Sequence, residues 1–219
     1  MPIERFPDPR DADEDGVVAV GGDLHPQSLL LAYRMGLFPW PITEFPLIPW
    51  FCPDERGVLE FKNLHIPRSL KLFLKKNPYT CTIDKAFDQV IEACARIPRE
   101  SETHASSWIT EDMILAYKKL HQMGFAHSAE AWDGEELVGG IYGVSVDGVF
   151  SGESMFRYKD NASKVALLHL VEHLKKNGIE WMDIQMTSKH MRLLGAETVT
   201  RDQYLSKLKA SQRPGVVLF

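Results

Sequence analysis

The sequence LVGGIYGVSVDGVFSGESMF, residues 137–156, contains two apolar runs separated by Asp147 and Gly148. Two such runs around an Asp-Gly pair are typical of a β-hairpin. The next segment, ASKVALLHLVEHLKKNG at residues 162–178, has the pattern of a helix that Asn161 caps and Gly178 ends. IEWMDIQM, residues 179–186, then predicts another strand. The order strand, strand, helix, strand is therefore expected to form the centre of the fold.

Three polar residues interrupt this apolar region. Glu153 lies in the middle of an apolar run, where an unpaired buried carboxylate would be unfavourable, although an exposed strand end would explain it equally well. Asp183 and Gln185 are two residues apart, so they point to the same face of their strand. A strand beside a crossover helix is normally apolar on both faces. The three residues together predict a site.

Several short blocks lie in an order that resembles one known family. They are GGDL (21–24), FPW (38–40), WIT (108–110), LVGGIYGV, FSGESMF, ASKVALL and the DIQ segment. From about Phe6 to Leu208 the chain is similar to the bacterial leucyl/phenylalanyl-tRNA–protein transferases, and GESMF and FPW are specific to them. The resemblance implies transfer of Leu or Phe, with Met as a further candidate, from charged tRNA to a protein's N-terminal Arg or Lys. The product in that family is an N-terminal degradation signal.

The resemblance also implies a fold. The expected class is α+β, with a small N-terminal α/β domain at residues 1–62 and a domain similar to the acetyltransferase superfamily at residues 63–219. Read without the resemblance, the second half already shows helices, an antiparallel sheet and one crossover. We expect a monomer.

Bulk composition agrees with a globular cytoplasmic protein. Of 219 residues, 44% are hydrophobic and 25% charged, and no apolar run approaches the ~20 residues of a membrane span. The first sixteen residues are acidic and lack the apolar core of a signal peptide. The three scattered cysteines have no metal-ligand spacing. A net charge of −5 means that any nucleic-acid partner needs a local basic face.

The first sixty residues contain one clear helix and one aromatic stretch. Pro26 begins a helix that Gly36 ends, and Gly21-Gly22 is better explained by a turn than by a phosphate loop. The prolines of residues 37–53 predict a stiff loop without regular structure. Its aromatic residues suit either packing or stacking on a nucleobase. These residues are Trp40, Phe45, Trp50 and Phe51.

The resemblance assigns two tryptophans and one basic helix to the tRNA. It implies that Trp40 stacks on the terminal adenosine and that Trp108 faces it across the adenine. The segment IPRSLKLFLKKNP, residues 66–78, predicts a short helix with a basic face. This face is either ordinary solvated surface or, as the family implies, a surface that binds the tRNA backbone. It comprises Arg68, Lys71, Lys75 and Lys76. Leu72 stands where the family usually has a basic residue, so we expect the contact with the tRNA backbone to be either weaker or shifted toward Lys71.

Four further segments are predicted. A helix is expected from about Asp84 to Ala95, and a mobile loop at residues 99–107. Thr110 caps a helix that Gly124 stops, and HSAEAW, residues 127–132, predicts a strand followed by a turn at Asp133-Gly134. His190 lies in a short helical segment, residues 201–209 form a final helix, and the tail after it carries no recognisable signal.

Other chemistries are poorly supported. His169 and His173 lack the glutamate of an HExxH motif and a third ligand, so no metal is expected. Ser151 and Ser154 flank Gly-Glu in a strand and not in a nucleophile elbow. A coenzyme A-dependent N-acyltransferase remains the alternative enzyme, but the loop RYKDNASK, residues 157–164, has no glycine to cradle a pyrophosphate. No cofactor is expected.

The expected reaction is attack by the acceptor α-amine on the ester carbonyl at the tRNA 3′ end. An aminoacyl ester is already activated, so positioning and proton transfer can suffice. We expect Asp183 to orient Gln185, which holds the reacting groups, and Glu153 to bind the incoming cation or amine. The resemblance assembles an acyl pocket from residues that would otherwise be ordinary core: Ile141, Phe150, Leu167, Leu170, Leu174 and Met182. The alternative outside enzymes is a non-catalytic module that binds tRNA or protein N-termini.

Overall fold

The computed structural model describes residues 1–41, 47–76, 79–97 and 108–219. Phe45 and the loop expected at residues 99–107 lie outside these ranges. The described residues form two β-sheets, one with three strands and one with seven. Among the described helices, none combines the length and the apolar composition needed to cross a bilayer.

The small sheet is built from the N-terminal part of the chain. Its strands are β1 (Val17–Val20), β2 (Phe38–Pro39) and β3 (Pro49–Phe51), in the order β1-β3-β2. The prediction that proline excludes regular structure from residues 37–53 is therefore wrong. Pro39 ends an edge strand and Pro49 begins the central one, and these are positions where a missing N–H is tolerated.

The large sheet has the strand order β10-β4-β9-β8-β7-β6-β5. Its strands in chain order are β4 (Glu55–Glu60), β5 (Thr80–Ile83), β6 (Ala126–Asp133), β7 (Glu136–Val146), β8 (Val149–Arg157), β9 (Trp181–Gln185) and β10 (Glu197–Thr200). Neighbours pair antiparallel except β8 and β9, which are parallel. Strand β4 belongs to the large sheet, although it lies within residues 1–62, the predicted N-terminal domain. The boundary between residues 62 and 63 stays a prediction.

The predicted hairpin is confirmed as β7 and β8. Asp147 and Gly148 form its turn with φ values of 50° and 79°. Two consecutive positive φ angles match the right-handed twist of the flanking strands, which is why Asp-Gly suits this position. The predicted crossover helix follows as α5 (Ala162–Lys176) and leads into β9.

The remaining helices are α1 (Pro26–Met35), α2 (Arg68–Lys75), α3 (Phe87–Arg96), α4 (Glu111–Gln122), α6 (Lys189–Leu193) and α7 (Arg201–Ser211). Thr110 caps α4 as expected, since its side chain accepts a hydrogen bond from the Met113 N–H. Asn161 occupies the N-cap position of α5, but its side chain accepts from Lys164 Nζ instead of capping the backbone.

Helix α3 begins three residues later than predicted. Asp84 has a φ of 56°, which is not helical, and its carboxylate accepts hydrogen bonds from the Ser128 N–H and pairs with His127. Asp84 therefore fastens the start of this segment to β6, and the helix begins at Phe87.

The large sheet separates two buried apolar clusters. On one face, α1, α3, α4 and α7 pack against residues such as Val58 and Tyr142. On the other face, α5 and α2 pack against Leu59 and Met182. The C-terminal tail, which carried no sequence signal, closes the second cluster: Leu218 is buried and the Phe219 ring stacks on His127 with centroids 3.9 Å apart.

Candidate active site

The parallel pairing of β8 and β9 brings the predicted polar residues together. Ser151 and Asp183 are partners in the register, so Glu153 and Gln185, each two residues further on, lie side by side. The Gln185 Nε2 atom donates a hydrogen bond of 2.8 Å to Glu153 Oε1. A carboxylate and a carboxamide therefore meet where β9 ends beside the middle of β8.

Two tyrosines extend this pair toward the N-terminal part of the chain. The Tyr117 hydroxyl on α4 donates to Glu153 Oε2 at 3.4 Å, and it lies 2.6 Å from the Tyr33 hydroxyl on α1. Burial raises the pKa of both phenols well above 10, so both remain protonated. Sequence reasoning missed them, although each is a tyrosine on the apolar face of a predicted helix, where its hydroxyl needs a buried partner.

The environment of Glu153 makes its carboxyl a much weaker acid than an exposed glutamate. Burial raises the pKa of this carboxyl from 4.5 to about 7, although the hydrogen bonds from Tyr33 and Tyr117 and the charge of Arg56 favour the ionised form. Glu153 therefore exchanges its proton near neutral pH, which is where a general acid or base is most effective.

Asp183 is held in a separate, fully buried network. Arg56 donates to both of its carboxylate oxygens, at 2.9 and 2.6 Å. The Tyr204 hydroxyl and Ser151 Oγ also donate to Asp183, at 3.0 and 3.2 Å. Arg56 in turn donates to the Gly36 carbonyl at 3.0 Å, so the network links α1, β4, β9 and α7. Sequence reasoning did not identify Arg56 or Tyr204.

The link between Asp183 and Gln185 differs from the expected one. Asp183 Oδ1 accepts a 2.9 Å hydrogen bond from the Gln185 backbone N–H, whereas the Gln185 side-chain amide bonds to Glu153. Gln185 has a φ of 52°, a left-handed conformation that is strained for a residue with a side chain. Asp183 thus fixes the backbone at the end of β9, and with 0% exposure it reaches no described cavity.

Two cavities meet at Glu153. We call the first the tryptophan cavity; it has a volume of about 450 Å³ and is lined by Phe38, Trp40, Trp108, Glu153, Ile184, Gln185, Met186, Thr187 and Ser188. We call the second the methionine cavity; it has a volume of about 310 Å³ and is lined by Ile141, Gly152, Glu153, Ser154, Met155, Met182, Ile184, Met186, Ser188, His190 and Met191. The shared lining places Glu153 where a molecule in one cavity would contact a molecule in the other.

Trp40 and Trp108 face each other in the tryptophan cavity. Their ring centroids are 5.0 Å apart and their planes differ by 14°. The structure therefore brings together two residues that are far apart in sequence. A base between them needs a separation of about 7–8 Å, or two van der Waals contacts, so the rings must part to admit one.

The six predicted acyl-pocket residues belong to one apolar cluster but have different surroundings. Ile141 and Met182 line the methionine cavity. The other four are fully buried and line neither cavity: Phe150, Leu167, Leu170 and Leu174. Sequence reasoning missed the methionines that complete the wall. Methionine is a common filler of irregular cores, so its presence in a sequence carries little information about sites.

The predicted basic face of α2 is exposed to solvent. Arg68, Lys71, Lys75 and Lys76 are all exposed. Leu72 lies among them with 53% of its surface exposed, so the basic face contains an apolar gap.

One group of potential metal ligands occurs among the described residues, and it does not include His169 or His173. It consists of Asp84, His121 and His127. His127 Nδ1 lies 2.7 Å from Asp84 Oδ2, and His121 Nδ1 lies 2.8 Å from the Ala126 carbonyl. These contacts join the end of α4 and the start of β6, so they already account for the group as a structural hydrogen-bond cluster.

The sequence matches one described family along most of its length. Residues 22–54 match the leucyl/phenylalanyl-tRNA protein transferase N-terminal domain, and residues 58–209 match the leucyl/phenylalanyl-tRNA protein transferase family. Relatives named leucyl/phenylalanyl-tRNA–protein transferase include one from Magnetococcus marinus, 49% identical over 95% of this chain and 92% of its own. One from Pseudoalteromonas atlantica is 47% identical over 93% and 86%, and one from Anaeromyxobacter dehalogenans is 45% identical over 98% and 94%.

Similar solved structures overlap only in part. L-PGS from Bacillus licheniformis has a TM-score of 0.43 and 15% identity, covering 74% of this chain and 52% of that one. The PaiA N-acetyltransferase from Thermoplasma acidophilum, in complex with coenzyme A, has a TM-score of 0.34 and 17% identity, covering 46% of this chain and 75% of that one. The sequence matches are therefore the informative comparison.

Breaking the Arg56–Asp183 pair should strongly destabilise the fold. Asp183→Asn leaves a buried guanidinium without its counter-charge, and removing one partner of a buried pair costs about 3–5 kcal/mol. Chemical denaturation measures this loss. Arg34→Ala, which breaks a pair in which the arginine is exposed and Asp147 is partly buried, is the control and should cost ~1 kcal/mol or less. Equal small losses would mean that the buried pair does not hold the sheet to α1 and α7.

Glu153 should also make stability depend on pH. Because its pKa is raised from 4.5 to about 7, the folded state binds more protons than the unfolded state between these values. Its contribution is then fully present below pH 4.5 and is lost as pH rises through about 7. The stability of the wild type minus that of Glu153→Gln should fall by roughly 3 kcal/mol across this interval.

The check is denaturant unfolding at several pH values. Glu135→Gln, which removes an exposed turn carboxylate, is the control for a general charge effect. If the free energy of unfolding of the wild type and that of Glu153→Gln changed with pH in parallel, the raised pKa of Glu153 would be contradicted.

Proposed function

The chain belongs to the leucyl/phenylalanyl-tRNA–protein transferase family, and from this we propose how its residues carry out the transfer of Leu or Phe from charged tRNA to a protein N-terminus. Membership makes it an aminoacyltransferase, which removes the support for a coenzyme A-dependent enzyme and for a non-catalytic module. The observation that carries the proposed mechanism is the meeting of the two cavities at Glu153 and Gln185.

In this proposal the tryptophan cavity receives the terminal adenosine of the tRNA. Trp40 and Trp108 supply two parallel ring faces, and stacking is the contact that every nucleobase can make. The ring centroids move from 5.0 Å apart to the about 7–8 Å that a base between them requires, and the two rings then stack on the adenine. The ester at the ribose then lies toward Glu153 and Gln185, which line the inner part of the same cavity.

The methionine cavity receives the side chain of the transferred amino acid. Its apolar wall, with Ile141 and Met182, suits Leu, Phe and Met, whereas a polar side chain would lose its hydrogen bonds there. Flexible thioether side chains adapt to acyl groups of different shape. The four fully buried residues of the predicted pocket, including Phe150 and Leu167, form its support and yield when a larger side chain enters.

Glu153 acts in this scheme as the proton carrier. The acceptor α-amine attacks the ester carbonyl, forming the C–N bond, and its surplus proton passes to the Glu153 carboxylate. The C–O bond to the ribose then breaks, and Glu153 returns the proton to the leaving ribose oxygen, so the carboxylate is regenerated. A carboxyl with a pKa of about 7 lies close to the ~7.7–8.0 of an α-amine, so the first transfer is nearly balanced, and the second is favourable because the leaving ribose oxygen is more basic than a carboxylate.

Gln185 and Asp183 position these groups. The Gln185 amide holds one oxygen of Glu153, which leaves the other toward Tyr117. Asp183 acts at a distance by fixing the Gln185 backbone and is itself fixed by Arg56. We assign Asp183 a positioning role and not that of a proton acceptor.

The acceptor enters beside Glu153 with a cationic first residue. A negative charge at the meeting of the cavities favours N-terminal Arg or Lys, and the product then carries an N-terminal Leu or Phe as a degradation signal. The proposal needs no cofactor or metal. It places a monomer in the cytoplasm, where charged tRNA is found, and keeps residues 1–62 and 63–219 as its two domains.

A transfer assay tests the function and the tryptophan clamp together. The purified protein should join labelled Leu from leucyl-tRNA to a peptide that begins with Arg, without acetyl-CoA. Leucyl-adenosine should also serve as a minimal donor. Trp40→Ala or Trp108→Ala should lower kcat/KM for this donor about tenfold or more, because stacking is worth ~1–3 kcal/mol per base.

Tyr158→Ala, which removes an exposed aromatic ring outside both cavities, is the matched control. Unchanged kinetics in a folded Trp40 or Trp108 variant would remove the clamp from the mechanism. A requirement for acetyl-CoA would overturn the proposed reaction.

The basic face of α2 is proposed to grip the tRNA backbone. Replacing Arg68, Lys71, Lys75 and Lys76 by Ala should lower kcat/KM for leucyl-tRNA. The slope of log(kcat/KM) against the logarithm of the salt concentration should become shallower by about 0.7–0.9 for each lost phosphate contact. Leucyl-adenosine has no phosphate backbone, so its kcat/KM with this variant should equal that with the wild type. Steady-state kinetics at several salt concentrations give both values, and equal loss with both donors would contradict the assignment.

A further inference from the structure

Helix α6 connects the two cavities with the basic helix α2. Ser188, its N-cap residue, lines both the tryptophan and the methionine cavity. At its other end, the Leu194 carbonyl accepts a 2.9 Å hydrogen bond from the His65 N–H, three residues before α2 begins. A Cβ added at Gly195 would lie 2.1 Å from the Asn63 carbonyl oxygen, so this end of α6 is packed tightly against the segment that leads into α2.

The exposed face of α6 is positively charged. Lys189 and Arg192 are exposed and three residues apart, so they lie on the same side of the helix. Neither has an acidic partner within 4 Å among the described residues, in contrast to Lys118 and Arg201, which do.

Further positive charge lies close by. Burial, followed by the charges of Lys164 and Arg157, lowers the pKa of His190, which is on α6 between Lys189 and Met191. Arg157 ends β8 and Lys164 is in the first turn of α5, so residues of two further elements add positive charge around His190, which lines the methionine cavity. The chain as a whole has a net charge of −5, so a local cluster of this sign is not a consequence of composition.

We propose that Lys189 and Arg192 bind the phosphates of the single-stranded 3′ end of the tRNA, between the adenosine in the tryptophan cavity and the part of the tRNA held by α2. This inference rests on the proposed function. An exposed lysine supplies a mobile point charge and an arginine a fork that matches two phosphate oxygens. Both residues bind phosphate without reading the base, as a protein that uses different tRNAs requires.

The length of α6 fits this occupant. Five helical residues rise about 7–8 Å at 1.5 Å each. A stacked strand advances ~3.4 Å per nucleotide, so α6 spans about two nucleotides. Every tRNA ends in the single-stranded sequence CCA, which places two nucleotides before the terminal adenosine. The alternative occupant of the basic face is an acidic segment of the acceptor protein, which the experiment distinguishes.

The experiment compares three donors of increasing length. These are leucyl-adenosine, a leucylated CCA trinucleotide and full leucyl-tRNA, each with one Arg-initiated peptide. The test variant is Lys189→Ala/Arg192→Ala. The matched control is Lys175→Ala/Lys176→Ala, which removes two exposed positive charges at the end of α5. These lysines precede the start of β9 and so lie at the sheet edge opposite Gln185.

The α6 variant should raise KM about tenfold for both the trinucleotide and the tRNA and leave leucyl-adenosine unchanged, since each lost contact to a charged group weakens binding. For the trinucleotide, the slope of log(1/KM) against the logarithm of the salt concentration should become shallower by about 0.7 for each lost phosphate contact. The α2 variant described above should impair the tRNA alone, because the trinucleotide ends before reaching that helix. The control should match the wild type with all three donors.

Equal use of the trinucleotide by the α6 variant and the control would overturn the inference while leaving the proposed function intact. A raised KM for the peptide with unchanged donor KM would also overturn it, in favour of an acidic acceptor segment. If the wild type transferred Leu from none of the donors, the proposed function itself would fail, and this inference with it.

Discussion

The contact between Arg56 and Asp183 is the interaction on which the rest of the site depends. Both side chains are fully buried, and the guanidinium donates to both carboxylate oxygens. Two charges in the interior are tolerated only when paired and fully hydrogen-bonded, and here Gly36, Tyr204 and Ser151 supply the remaining partners. The pair therefore fixes α1 and α7 against β4 and β9, and it leaves Asp183 able to hold the strained backbone of Gln185.

The consequence of that support is a carboxyl group poised for proton transfer. Gln185 on β9 presents its amide to one oxygen of Glu153, and the Tyr117 hydroxyl on α4 donates to the other, so Glu153 is held by two separate elements. The same residue lies where the tryptophan and methionine cavities meet. A donor bound through its adenosine and its acyl side chain would thus have its ester next to a carboxyl with a pKa of about 7. The chemistry follows from positioning and proton transfer.

Sequence reasoning recovered what local pattern determines. The order β7, β8, α5, β9 followed from periodicity and turn residues, and polar residues in apolar strands predicted one site that includes Glu153 and Gln185, which the structure brings into contact. It missed Arg56, Tyr33, Tyr117 and Tyr204, because their partners lie 20 to 148 residues away and nothing local marks a buried polar side chain as paired. It also misjudged the proline-rich segment, since whether Pro39 and Pro49 fit a strand depends on which neighbours pair with them. The helix start at Phe87 was misplaced for a similar reason, a tertiary contact of Asp84.

The central claim, that Glu153 carries the proton during transfer, is tested most directly by single-turnover rates as a function of pH. The quantity to compare is the ratio of the wild-type rate to that of Glu153→Gln, with leucyl-adenosine as donor and one Arg-initiated peptide. The acceptor amine titrates equally in both reactions, so the ratio isolates Glu153. The account predicts a ratio that rises with pH, has its midpoint near pH 7 and levels off once the carboxyl is fully ionised. A ratio that stays constant from pH 5.5 to 8.5, a range chosen to bracket the ordinary α-amine and the raised carboxyl pKa at roughly 7–8, would contradict it.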